Sequence, residues 1–433
     1  MAYNAIHSRS RPARLAGVSA YLARLASVMS NRRNPPRSRP PAPGAAAPGT
    51  ARLPSSRAQA EGSSPKSAWR RRVRERLLGW YAQEKRGLPW RGEREPYRIW
   101  VSEAMLQQTR AGTAAPRYAR FLARFPTLRA LADAPLEAVL AEWQGLGYYG
   151  RARNLHRAAR EVAERLGGEL PAGLASLRAL PGFGPYMAGA VGSIAFGLRV
   201  PAVDGNVLRV LSRLLDLPLP VDKPEGRAAI EKEAQALLPP SKPGDFNQAL
   251  MDLGARLCLP RRPRCGECLL EALCAARKTG TVAKRPVKSP RRAPREATVF
   301  QLWAEQRGKL RLARREENGL FGGLWELPGW MAEGRPEPPE KEWQRACAKH
   351  LGPGWRIGEE IARAVRVLTH RKILFVLRRA LPPAGKRAPL KDTDGAVWAD
   401  EGALAALPLS NAQRVAIAAG RRGVEEKQGK LPL

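Results

Sequence analysis

Four of the five cysteines in this 433-residue chain fall within seventeen residues, Cys258, Cys265, Cys268 and Cys274, with six, two and five residues between them. Such crowding points to a joint role. A disulfide framework fits poorly, because dense bridging staples small secreted domains and this chain is long enough to bury real cores. Metal is the better reading. Zinc sites usually bring two close ligand pairs, and only Cys265-Gly266-Glu267-Cys268 is close here; the wider arms suit thiolates wrapping the corners of an iron–sulfur cube. Zinc and unlinked thiols stay open as alternatives. Cys347 stands apart, in an amphipathic pattern with Trp343, Ala346, His350 and Leu351, and reads as a small buried hydrophobe.

Two carboxylates are the next candidates for chemistry. Glu103 sits in the run Ile99-Trp100-Val101-Ser102-Glu103-Ala104-Met105-Leu106-Gln107-Gln108-Thr109. Periodicity alone favours a solvent-facing stripe; the alternative is an apolar pocket that raises its pKa, as a general acid requires. Asp204 lies in Val203-Asp204-Gly205-Asn206-Val207, where a helix N-cap is the plainer reading. A pair of carboxyl groups has one further use. Breaking a bond from a sugar carbon to a leaving group passes through an oxocarbenium-like state, which needs one acid to protonate the leaving group and one carboxylate to stabilise the cation.

These residues must be positioned by folded elements, and composition shows where those begin and end. Residues 1–66 carry eleven basic side chains against Glu61 alone, and Asn34 to Gly49 is mostly Pro and Ala. This segment is expected to be a disordered basic arm or a targeting segment. Residues 278–296 read as a linker, with Lys284-Arg285-Pro286-Val287-Lys288-Ser289-Pro290 too basic and Pro-rich to pack. The folded units expected are therefore 67–277 and 297–433. The first is helical, with apolar residues recurring at helical spacing, as in Val73, Leu77, Leu78 and Tyr81, and then Leu128, Leu131 and Leu136. Within it a short helix (Leu174, Leu177, Leu180) meets Pro181-Gly182-Phe183-Gly184, and a second starts at Pro185. Gly182 and Gly184 let backbone N–H groups approach an anion at a helix N-terminus, so this helix-hairpin-helix suits one DNA phosphate. An ordinary helix-helix turn is the other possibility. The charge agrees with a polyanionic partner: 75 Lys and Arg against 39 Asp and Glu give +36. No apolar run is long enough to span a membrane.

Taken together, the segments Leu88 to Arg91, Pro96-Tyr97, Ser102 to Thr109, Gly145 to Tyr149 running into Arg151 to His156, Leu180 to Tyr186, Val203 to Val207, Phe246 to Gly254 and the four-cysteine spacing closely resemble the adenine DNA glycosylases of the MutY type. That family belongs to the helix-hairpin-helix superfamily with endonuclease III. The resemblance is dense over about 70–276 and weak over about 297–420. It implies a mostly α helix-hairpin-helix glycosylase domain with a [4Fe-4S] cluster on Cys258, Cys265, Cys268 and Cys274, followed by a smaller α/β Nudix-like domain. By the same resemblance Glu103 protonates adenine, Asp204 stabilises the sugar cation, Tyr186 supports that chemistry and Asn206 holds the catalytic water. Arg86, Trp90, Leu106 and Gln248 match positions lining the pocket for a flipped-out adenine. Gln108, Leu146 and Tyr148 match segments that probe and wedge the helix opposite; simple core packing is the plainer role for Tyr148. Endonuclease III-like lyases carry Lys where Tyr186 stands, so the chain is expected to hydrolyse the base without cutting the strand.

In 297–433 the alternation at Val299 to Glu305, Lys309 to Arg315 and Ile373 to Leu377 reads as strands. The resemblance there is to a Nudix-like domain that recognises 8-oxoguanine. Gly329 to Gly352 lacks the glutamate-rich metal box of true Nudix hydrolases, so recognition without hydrolysis is expected. Relatives often carry Phe-Ser-His in the lesion loop; this chain has Leu368-Thr369-His370. The implied partner is double-stranded DNA with A:8-oxoguanine or A:G mispairs, met by a monomer in the bacterial cytoplasm at the nucleoid, or in a nucleus or mitochondrion. A non-catalytic lesion binder and an endonuclease III-like glycosylase/lyase are the alternatives.

Overall fold

A computed structural model describes residues 64–290, 293–317, 319–334, 337–383, 391–393 and 395–427. Most of the arm expected over 1–66 lies outside the described residues. Its last three residues are a correction: Ser64 accepts the Ser67 N–H at 3.2 Å and caps α1 (Pro65–Glu84), with Pro65 where its missing N–H leaves no gap.

Seven helices then enclose one apolar core: α2 (Pro96–Leu106), α3 (Ala111–Arg124), α4 (Leu128–Asp133), α5 (Leu136–Glu142), α6 (Gly150–Arg165), α7 (Leu174–Ala179) and α8 (Pro185–Phe196). The Leu128 to Leu136 pattern forms two helices, because Pro135 cannot continue the first. A second core joins α1 to α9 (Gly205–Leu214), α10 (Pro224–Leu237) and α11 (Pro243–Arg256), and the short α12 (Ala275–Lys278) follows the cysteine segment. Helix α8 serves both cores. Met187, Ala188 and Val191 pack in the first, while Ala190 and Tyr186 pack in the second. The seam between the cores therefore runs along α8, where Gly189 sits so close to the Pro201 carbonyl that a Cβ would stand 2.1 Å away.

The segment 279–289, expected to be too basic to pack, lies against the helical part. Val221 N–H donates to the Val287 carbonyl at 3.0 Å, Ser289 N–H donates to Asp222, and Arg285 pairs with Asp216. Carboxylates at the ends of α9 and α10 neutralise and hydrogen-bond what composition alone marks as solvated.

Beyond it come β1 (Arg295–Trp303), β2 (Glu305–Gln306), β3 (Lys309–Arg314), β4 (Trp325–Glu326), β5 (Gly329–Glu333), α13 (Glu340–Leu351), β6 (Arg356–Val367), β7 (Arg371–Leu381), β8 (Ala396–Ala399), α14 (Glu401–Ala406) and α15 (Asn411–Lys427). One sheet has the order β5-β1-β7-β6, parallel between β1 and β7 and antiparallel elsewhere; in the other, β3 pairs with β2, β4 and β8. Helix α13 covers one face of the first sheet through Trp343 and the fully buried Cys347, and α15 covers the other through Ala416 and Ile417.

The two parts share side chains. Leu324, 1% exposed, belongs to the first helical core, Trp325 Nε1 donates to Glu137 at 2.7 Å, and Arg153 donates to the Gly322 carbonyl at 2.7 Å. Leu324→Ala should therefore destabilise the helical part, by about 2–5 kcal/mol as for other buried leucines. Chemical denaturation followed by tryptophan fluorescence measures it. A change under about 0.5 kcal/mol, the range of a surface substitution, would mean that the seam is not packed in solution.

Candidate active site and DNA interface

Helix α2 carries Glu103 into the seam. Its N-terminus is fixed by Glu95, whose carboxylate accepts the N–H groups of Tyr97 and Arg98 at 3.0 and 2.7 Å. The solvent-facing reading of Glu103 is corrected: the residue is 2% exposed. Tyr186 Oη donates to Glu103 Oε2 at 2.5 Å. Burial pushes the Glu103 carboxyl above the ordinary carboxylate range, with Asp204 and Asp252 adding to the rise, while the Tyr186 hydroxyl and Arg91 pull it down. Tyr186 is itself held well above its ordinary value by burial and by Glu103. Burial thus favours the protonated, acid form of Glu103.

Asp204 is the N-cap of α9, as expected, and its second oxygen is engaged as well. Oδ1 accepts the N–H groups of Asn206 and Val207 at 2.9 and 2.7 Å, and Oδ2 accepts Asn206 Nδ2 at 2.8 Å. Burial raises its carboxyl too, but these three hydrogen bonds favour the anion and oppose the rise. Both carboxyls are raised by burial, but Asp204 has three hydrogen bonds that favour its anion where Glu103 has one. Asn206 Oδ1 accepts Arg209 Nη2 at 2.8 Å, and Arg209 also donates to the carbonyls of Gly254 and Cys258, both at 2.7 Å.

Helix α11 is buried on nearly every side, and Gln248 and Asp252 are buried with it. Arg91 reaches both, donating to Gln248 Oε1 and to Asp252 Oδ1 at 2.6 Å, and Arg86 Nε adds a bond to Asp252 at 2.8 Å. Leu106 is partly buried at the end of α2. Trp90 is 3% exposed and stacks edge-on against Tyr118, with ring centroids 5.4 Å apart, so its ring is occupied by the core.

Gly182, at φ 81°, and Gly184 form the turn before α8 and are exposed, while Phe183 anchors it against Trp100. Gln108 and Tyr148 both hold positive φ, 58° and 48°, a conformation uncommon outside glycine that gathers at binding sites. Leu146 is buried in the core, whereas Tyr148 is 47% exposed, so Tyr148 is the free side chain of that loop. Its hydroxyl lies 2.5 Å from Thr369 Oγ1 on the exposed turn between β6 and β7, which also carries His370.

The four cysteines occupy a loop of short turns after α11, each half-exposed and none in a disulfide. Cys258, Cys268 and Cys274 pack against the second core. Cys268 is pushed up to about 11 by burial and by the other three thiols, so four thiolates need a cationic centre to coexist. Among the described residues, no three His, Cys, Asp or Glu side chains converge on a single metal ion. Arg213 Nη1 donates to Cys258 Sγ at 3.3 Å, a placement that suits an anionic thiolate-ligated group.

Residues 101–240 match the family model described as HhH-GPD superfamily base excision DNA repair protein, and 298–419 match the NUDIX domain. The mouse adenine DNA glycosylase is 36% identical over 70% of this chain and 69% of its own length. The chain belongs to the adenine DNA glycosylase family. The human member is 39% identical over 64% of this chain and 60% of its own length, and the fission yeast member is 33% identical over 65% and 74%. A solved thermostable thymine-DNA glycosylase is similar over 50% of this chain and 100% of that chain, with 30% identity and a TM-score of 0.46.

Four residues in this adenine glycosylase scaffold escape sequence reasoning: Arg91, Asp252, Arg209 and Arg213. Asp252 gives no signal, because its helix is mixed in composition and is buried only by what packs around it. The arginines give none, because they are identified only by the carbonyls and carboxylates they meet across the fold.

The electrostatics of Glu103 can be measured. Its folded pKa lies above its unfolded value, so its contribution to stability is full below the unfolded value and is lost as pH rises through the folded one. Glu103→Gln should accordingly raise Tm above that pH and change little well below it. Tyr186→Phe removes a hydrogen bond that lowers the pKa, and should move the alkaline limb of the single-turnover pH profile upward. A downward shift would contradict this arrangement.

Proposed function

We propose that this chain hydrolyses the N-glycosidic bond of adenine mispaired with 8-oxoguanine or guanine in duplex DNA, acting as a monomer in base excision repair. The observation that carries this reading is the buried, Tyr186-bonded Glu103 beside a capped and hydrogen-bonded Asp204. Glu103 delivers its proton to a ring nitrogen of the flipped adenine, and the bonding pair of the sugar carbon leaves with the base. Asp204 stabilises the resulting oxocarbenium ion. Water then adds to that carbon, positioned by Asn206, and its proton returns to a carboxylate. Gln248, with Arg91 and Arg86 behind it, is suited to hydrogen-bond the base, and Leu106 to pack on it.

Cys258, Cys265, Cys268 and Cys274 would hold a [4Fe-4S] cluster, which supplies a rigid covalent fastening for the loop carrying Arg261, Arg262 and Arg264. Gly182 and Gly184 offer N–H groups to one phosphate, and Tyr148 with Gln108 probes the stack. Thr369 lies beside the Tyr148 hydroxyl and His370 is exposed on the same turn, so both are suited to read the 8-oxoguanine opposite. Tyr186 has no amine to form a Schiff base, which supports base loss without strand cleavage. No helix among the described residues is long and apolar enough to cross a membrane. The expected setting is the bacterial nucleoid, or a nucleus or mitochondrion.

Duplexes bearing A opposite 8-oxoguanine, G or T test the reading, scored for base loss before and after alkali. Glu103→Gln should bind the mispair yet release adenine about 10²–10⁴-fold more slowly, the range a general acid supplies. Near wild-type rates would remove Glu103 from the mechanism. Replacing Thr369 and His370 together by Ala should leave A:G cleavage in place while lowering the preference for 8-oxoguanine by roughly ten- to a hundred-fold, for contacts of about 1–3 kcal/mol. An unchanged preference would put lesion reading in the helical domain.

A further inference from the structure

Arg213 makes contacts on both sides of α9. It is 3% exposed, and its guanidinium meets two segments, 258–260 and 282–285. On one side Nη1 donates to Cys258 Sγ at 3.3 Å and to the Leu259 carbonyl at 2.7 Å, while Nη2 donates to the Pro260 carbonyl at 3.3 Å. On the other side Nε is shared between the carbonyls of Val282 and Arg285, each at 3.1 Å. One side chain thus ties the first cysteine of the metal-binding loop to the root of the segment leading into the second domain.

That root is held along its length. Asp216, at the end of α9 with φ 50°, accepts Thr279 Oγ1 at 2.9 Å and Thr281 Oγ1 at 2.5 Å. Arg285 Nε lies 2.8 Å from Asp216 as an ion pair, although its N–H is not aligned for a hydrogen bond. Further on, Val221 and Asp222 at the approach to α10 hold Val287 and Ser289. These contacts bring the chain to within six residues of β1, so they fix the point from which the lesion-reading domain hangs.

We propose that Arg213 is a positioning residue that latches the interdomain segment to the cluster loop, so that the cluster stabilises discrimination by the second domain as well as the glycosylase fold. The inference rests on the cluster reading given above. A guanidinium has a fixed fork of donors, and it satisfies both sides only while the Cys258 loop and the 282–285 turn keep their spacing. Coupling of this kind is reciprocal: loosening the segment must weaken retention of the cluster, and loss of the cluster must loosen the segment.

The test uses the full-length holoprotein. Iron and sulfide content, the rate of iron extraction by a chelator, deuterium uptake over 279–289, and single-turnover rates on A:8-oxoguanine and A:G are measured together. Asp216→Ala with Asp222→Ala alters only the segment side. It should raise deuterium uptake over 279–289, speed iron loss by roughly five-fold or more, and lower the 8-oxoguanine preference while the A:G rate stays within about two-fold. Arg213→Lys keeps a charge but cannot fork, and should show the same faster iron loss and raised uptake. Wild type stripped of iron should show raised uptake over 279–289. If the segment loosens in the double variant with iron loss unchanged, or stays protected in stripped wild type or in Arg213→Lys, the latch is wrong. If the wild type holds no iron and sulfide at all, the cluster reading fails and the latch falls with it.

Discussion

Burying the Glu103 carboxyl near the partly buried Asp204 sets two acids within electrostatic reach, and the helical part is organised around keeping them different. Glu103 has one strong donor, the Tyr186 hydroxyl, and stands among apolar side chains of α2. Asp204 has three donors, all from the first turn of its own helix, where the dipole also favours an anion. The anion is thus favoured more at Asp204 by local geometry, and the fold brings the two groups close enough for Asp204 to raise the Glu103 carboxyl. An acid buried without partners destabilises a fold, so the cost is borne by the surrounding packing, above all α8, which belongs to both cores.

Arginine does much of the joining. Arg151 donates to the carbonyls of Ala104 and Met105 at the end of α2 and to those of Leu146 and Gly147 in the loop before α6, all at 2.8 Å. Those are the free carbonyls a helix end leaves unsatisfied, and the loop is the one that presents Tyr148. The helix that carries Glu103 and the loop that carries Tyr148 are therefore one rigid unit. Arg91, Arg209 and Arg213 repeat the pattern at Asp252, Asn206 and Cys258. Of the +36 net charge, part is structural, so basic composition overstates the surface available to phosphate.

What could be read in the sequence divides along the same line. Local signals held: the α8 start at Pro185, the Asp204 cap, the helix containing Cys347, and strands at β1, β3 and β7. Signals that depend on the far side of the fold failed. Glu103 read as solvent-facing because periodicity cannot show that two cores meet over it. The basic segment at 279–289 read as unpacked because its partners, Asp216 and Asp222, lie more than sixty residues away in sequence. The long β6 went unseen because it is an edge strand whose exposed face carries Arg363, Val365 and Val367, which blurs the contrast that marks a half-buried strand.

The lesion-loop departure can be weighed in the same terms. Where relatives often carry an aromatic, this chain has Leu368, which is partly buried and packs against the core of the second domain, while Thr369 and His370 are exposed. The altered position therefore anchors the turn, and an anchor needs only apolar bulk. The two positions that face outward keep a hydroxyl and an imidazole. Thr369 is already set by its neighbour: its Oγ1 lies 2.5 Å from the Tyr148 hydroxyl, across the gap between the domains. A β-branched threonine has few rotamers to choose from, so the methyl that distinguishes it from serine holds the hydroxyl in place. Leu368 thus supplies the apolar anchor, and a stiff hydroxyl and an imidazole remain at the exposed edge.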